Sequence, residues 1–66
     1  MGVSYKPLWR QLVERDMKKT ALRDLVGFSN GTLAKLSKNE PLSLEIIEKI
    51  CLTLDCRIED VVEITK

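Results

Sequence analysis

Lys19–Lys38, KTALRDLVGFSNGTLAKLSK, reads as two short helices joined by a tight turn. Leu22, Leu25 and Val26 fall at i, i+3 and i+4, the inward stripe of a helix running from about Lys19 to Val26. Gly27 ends that helix, because the position after a helix favours a left-handed backbone that glycine adopts without a steric penalty. Phe28 follows, where an apolar contact can close the turn. Ser29 is placed to cap a second helix by accepting a hydrogen bond from an orphan backbone N–H. In that second helix Leu33 and Leu36 are the large inward-facing residues, and Asn30, Gly31, Thr32, Ala34 and Lys35 are small or polar. A helix so short with so thin an apolar stripe gains little from burial. Its outer face is free for contact, and its slim outline allows close approach to another surface. Asn30-Gly31 is also a hairpin-turn dipeptide, but a hairpin needs alternating apolar strands on both sides, and neither flank alternates.

Working outward, Tyr5, Leu8, Trp9, Leu12 and Val13 are helically spaced, and Pro7 fits a first helical turn, so a helix starts near Ser4 to Lys6. Lys6, Arg10 and Glu14 fall on its opposite, solvent stripe. Trp9 reads as a core anchor and Met17 as filler in the following connection. Ser37 to Pro41 reads as a loop, with Asn39 suited to a left-handed position. Ser43 caps the next helix, and Glu45 in its first turn suits the helix dipole. Leu44, Ile47, Cys51 and Leu54, broadened by Ile46 and Ile50, make this the most apolar helix. Ile58, Val61 and Val62 fit a short last helix to about Val62, although VVEITK equally suits an extended tail. The expectation is an all-α, five-helix single domain over residues 1–66, with the two-helix unit at about 19–38 and a C-terminal brace at 43–66.

A chain of 66 residues buries only about 60% of its unfolded surface, so its stability is marginal and self-association would help. Charges interrupt every apolar run before the ~18 residues of a membrane span, and no signal peptide is recognisable, so a soluble, cytoplasmic protein is expected. Residues 1–39 carry eight basic side chains against three acidic ones, and residues 40–66 carry three against seven, for a net charge of +1. A basic front half suggests a polyanionic partner, although ordinary solvated helix faces give the same pattern. Cys51 and Cys56, with no histidine in the chain, do not make a zinc site, and both read as small buried hydrophobes. No base–nucleophile pair and no glycine-rich phosphate loop is present. Neither an enzyme nor a cofactor or metal protein is expected.

The order of these elements resembles the Xre-type, lambda-repressor/Cro-like helix-turn-helix regulators in their short single-domain form. The likeness extends over about Tyr5 to Ile64 and rests on SYKPLW, MKKTALRDLVGFSNGTLAKL and LSLEIIEKICLTLDC. It implies a twenty-residue motif at Lys19 to Lys38, with Gly27 as the turn glycine and Leu33 and Leu36 as the buried pair of the second helix. Base contacts are then implied at Ser29, Asn30, Gly31, Thr32 and Lys35, and phosphate contacts at Lys19, Thr20, Lys38 and Asn39. Arg23 departs from the small residue many members have near the helix crossing, and Gly31 offers no side chain at a common base-reading position.

Physical chemistry agrees with that placement. A helix N-terminus carries free N–H groups and partial positive charge. Asn30 can pair with adenine, Lys35 can donate to guanine, Thr32 can touch a thymine methyl, and Gly31 lets the backbone approach closely. Lys18, Lys19, Arg23 and Lys38 add a salt-dependent, sequence-independent attraction. One such domain reads a half-site, so a homodimer on a double-stranded DNA operator is expected, with Ile58, Val61, Val62 and Ile64 as the candidate interface. Closure of the domain's own core is the competing role for those four residues. The function expected is a transcriptional regulator, most simply a repressor, with no small-molecule ligand. The alternative is a protein-binding module, such as an antitoxin, that uses the acidic, apolar C-terminal half.

Overall fold

The computed structural model describes residues 2–66, so Met1, part of the domain expected over residues 1–66, lies outside the described residues. A short strand, β1 (Gly2–Ser4), leads into α1 (Lys6–Glu14), α2 (Lys19–Val26), α3 (Asn30–Ser37) and α4 (Leu44–Leu54). A single 3-10 turn (Ile58–Asp60) and a second short strand, β2 (Glu63–Thr65), complete the chain. The strands pair antiparallel, with Gly2 opposite Thr65, Val3 opposite Ile64 and Ser4 opposite Glu63. No helix among the described residues is long and apolar enough to cross a membrane.

The fold is therefore mostly helical, and the five-helix, all-α expectation is corrected. Among the described residues there are four α-helices, and the fifth segment is one 3-10 turn followed by a strand. A single turn bears the nucleation cost of a helix without the residues that would propagate it. Val61, Val62, Ile64 and Thr65 are β-branched and suit extended backbone. The partner strand lies at the other end of the sequence, and Thr65 Oγ1 donates to the Gly2 carbonyl at 3.0 Å.

The helix ends follow from local chemistry. Pro7 sits in the first turn of α1, and Ser43 caps α4 by accepting the Ile46 N–H at 3.4 Å. Among the described residues the three non-glycine residues with positive φ, Asp16, Asn39 and Asp55, lie one or two positions past a helix end and are of types that tolerate the left-handed region. At Asn39 the closure is complete: its N–H donates to the Leu36 carbonyl and the Glu40 N–H to the Lys35 carbonyl, at 3.2 and 2.9 Å.

The core contains Tyr5, Leu8, Leu12, Leu22, Leu36, Ile47, Ile50, Leu54 and Val61. Trp9, Met17, Val26, Phe28, Cys51 and Cys56 pack against it, partly buried, and the two cysteines are free thiols. Val13, Leu25 and Leu44, expected to face inward, are exposed. In so small a domain each helix meets the core along a strip narrower than its apolar stripe. Arg15 Nη2 donates to the Leu54 carbonyl at 2.6 Å and Gln11 Nε2 to the Asp60 carbonyl at 3.2 Å, which ties α1 to the end of α4 and to the 3-10 turn. The Tyr5 hydroxyl donates to the Glu40 carbonyl at 2.7 Å, and burial raises its pKa above the ordinary tyrosine value.

Val61 is a second correction. It is 0% exposed and belongs to the core, so it is unavailable to a partner chain. It follows the 3-10 turn, which packs against α1 and α4, and it takes the competing role of closing the domain's own core. Ile58 is 50% and Ile64 72% exposed, and Val62 is half-buried.

Substitution separates these roles. Val61→Ala is expected to lower unfolding free energy by about 2 kcal/mol, because it reduces burial and leaves a residual cavity. Ile64→Ala should change it by less than about 0.5 kcal/mol in a dilute monomer. Denaturant unfolding of both variants at low protein concentration measures the difference.

Candidate nucleic-acid interface

The turn between α2 and α3 is built as its sequence dictates. Gly27 has φ +91° and its N–H donates to the Arg23 carbonyl at 2.8 Å, so the last turn of α2 closes in a conformation that penalises any side chain. Ser29, in extended backbone, caps α3: its Oγ accepts the Thr32 N–H at 3.2 Å. The Ser29 and Thr32 hydroxyls lie 3.3 Å apart. Leu36 is the fully buried side chain of α3, and Leu33 is half-buried.

The residues singled out on α3 fall into distinct environments. Asn30, Gly31 and Lys35 are exposed, and Thr32 is half-buried beside the cap. The Ser29 hydroxyl is engaged by that cap. Gly31 has no need of glycine's conformational freedom, since an added Cβ would meet only Ser29 Oγ at an ordinary 3.6 Å. Asn30 is not free: Arg23 Nη1 donates to its Oδ1.

The cationic residues separate likewise. Lys18, Lys19 and Thr20 are exposed at the start of α2. Lys18, at the N-cap position, makes no side-chain capping bond, so the orphan N–H groups of the first turn lack the partner that Ser29 supplies to α3. Lys19 Nζ sits 4.4 Å from the centre of the Trp9 ring, a cation–π contact that holds the ammonium near the helix start. Lys38 and Asn39 are exposed at the end of α3, but the Asn39 Oδ1 already accepts the Tyr5 N–H at 3.1 Å, which leaves only its Nδ2 as a donor. Arg23 is paired with Asp24 at 3.1 Å, while Lys18, Lys35 and Lys38 form no ion pair among the described residues.

Sequence alone does not give the tether on Asn30 or the ring under Lys19. Arg23 and Asn30 are seven residues apart across a turn, beyond any intrahelical pairing rule, and Trp9 meets Lys19 from a different helix. The one available signal is that Arg23 stands out as a long charged residue where the helices cross.

The sequence matches the family described as the Cro/C1-type HTH DNA-binding domain over residues 7–66. The fold is similar to a crystal structure of the transcriptional regulator VanUg, form II, with a TM-score of 0.95 and 48% sequence identity. That likeness covers 97% of this chain and 85% of the other. No curated protein matches the chain.

The environment of Gly31 generates a test of the interface's two demands. Gly31→Ala should stabilise the isolated protein by roughly 0.5 kcal/mol, because it removes unfolded-state freedom from a helical position without a clash. Thermal unfolding checks the sign. Ser29→Ala, which removes the cap, should destabilise it by about 1 kcal/mol.

Proposed function

Because the chain belongs to the Cro/C1-type helix-turn-helix family of DNA-binding domains, we propose that it is a sequence-specific transcriptional regulator, a repressor that occludes a promoter, reading the major groove with the start of α3. The family is described as a DNA-binding domain and the VanUg neighbour as a transcriptional regulator, and neither points to an enzyme. The observation that carries the reading is the character of α3 itself. It has one fully buried side chain, while Asn30, Gly31 and Lys35 are exposed, and none of the three is packed into the core.

In this reading Asn30 and Lys35 meet base edges, Thr32 offers its methyl group, and Ser29 holds the helix start in shape. The small outline at Gly31 admits the backbone to the groove. Lys18, Lys19 and Thr20 meet one phosphate run together with the uncapped N–H groups of α2, and Lys38 with the Asn39 Nδ2 meets another. Arg23 is left out of that electrostatic set because Asp24 already offsets its charge. Two copies of the chain occupy half-sites one helical turn apart. Ile58, Val62 and Ile64 supply the contact between copies, with Val61 behind them in the core.

Selection of bound duplexes from a random pool should return a palindrome. Asn30→Ala combined with Lys35→Ala should weaken binding to that duplex about tenfold or more for each of the two side chains removed, and wild-type affinity should fall steeply with added salt. Unchanged affinity in the double variant would remove α3 from the reading. Gly31→Ala should weaken the same complex despite stabilising the free protein.

A further inference from the structure

Arg23 is the residue of the two-helix unit that phosphate attraction and core packing leave unexplained. Its side chain is 28% exposed. Both Nε and Nη2 lie 3.1 Å from Asp24 Oδ1, and Nη1 donates to Asn30 Oδ1. We propose that Arg23 is a specificity-determining positioning residue: by holding Asn30 Oδ1 it fixes which end of the Asn30 amide faces the base edges. The inference rests on the assignment of Asn30 as a base-reading residue.

An asparagine amide has an accepting end and a donating end, and half a turn about its last torsion exchanges them. A guanidinium carries five N–H donors and no acceptor. It therefore tolerates only Oδ1 as its partner, since the flipped amide would set Nδ2–H against Nη1–H, donor against donor beside a full positive charge. Asp24 keeps Arg23 from swinging away. Charge-assisted bonds of this kind are roughly twice as strong as neutral ones. The relay Asp24–Arg23–Asn30 thus spans the turn and removes one of the two amide orientations.

What remains on Asn30 is the Nδ2 group with both its donors, and one lone pair of Oδ1 beside it. That pattern meets adenine through N7 and the N6 amino group, or guanine through N7 and O6. Cytosine presents only its N4 amino donor, which the remaining Oδ1 lone pair can accept while both Nδ2 donors go unpaired. A freely rotating amide would tolerate more bases. Arg23 narrows that tolerance without touching DNA itself, and this separates it from a phosphate contact.

The test compares wild type, Asn30→Ala, Arg23→Met and the double variant. Arg23→Met retains an unbranched stem while removing the fork, and its fold is checked by circular dichroism. Each protein is measured against the duplex selected by wild type and against every single base-pair change in it. Arg23→Met should flatten the preference at the same base pair as Asn30→Ala, by about fivefold or more, and the double variant should be no worse than Asn30→Ala alone. In the absence of DNA, the Asn30 side-chain amide resonances should shift in Arg23→Met. The inference is overturned if those resonances are unmoved, if the two effects add, or if Arg23→Met weakens all sequences alike while its salt slope falls by about one. If Arg23→Met does not fold, Arg23→Lys, which keeps the charge and removes the planar fork, carries the same expectations. A wild-type chain that selects no duplex removes the DNA-reading role and this inference with it. A wild type that selects one, with only Asn30→Ala flattening a position, removes this inference alone.

Discussion

Leu36 docks α3 into the core as its one fully buried side chain, and the direction of the helix is then set by backbone at either end. Before it, the left-handed Gly27 and the Ser29 cap determine how the chain leaves α2. After it, the left-handed Asn39 closes the last turn while its side chain receives the Tyr5 N–H. A helix held by one anchor and two fixed ends needs nothing from its outer face. That face is consequently free of the demands that dictate residue choice elsewhere in the chain.

The rest of the molecule is braced in a similar way. The N-terminal segment is bound to the α3–α4 connection at two points, through Asn39 and through the Tyr5 hydroxyl on Glu40. Disruption of the first helix would therefore be felt at the end of α3 as well as in the core. Arg15 and Gln11 fasten the other side of α1 to the end of α4 and the 3-10 turn. The β1–β2 pair then joins the two ends of the described chain. Long polar side chains and strand pairing brace a core too small to be held by apolar burial alone.

Sequence makes the α2–turn–α3 unit legible because its signals are local. A glycine after a helical stripe, a serine before the next and a leucine pair one turn apart each have a short-range physical cause. The C-terminal segment misleads for the opposite reason. Ile58, Val61 and Val62 fit a helical stripe while VVEITK equally suits an extended tail, and the deciding partner, Val3, stands at the far end of the chain. Spacing alone leaves open whether Val61 faces a partner copy or the core, and it fills the core. At the candidate interface the exposure of Asn30 and Lys35 follows from the thin stripe of α3. The Arg23–Asn30 bond does not, since it needs the relative placement of two helices.

The proposal that the start of α3 is the DNA-reading surface is tested most directly by a 15N NMR titration of the full chain with a duplex selected from a random pool. The largest backbone shifts are predicted at Ser29 to Lys35, with a second set at Lys18 to Thr20 around the uncapped start of α2. Shifts confined to Ile58 to Thr65, with Ser29 to Lys35 unmoved, would contradict it.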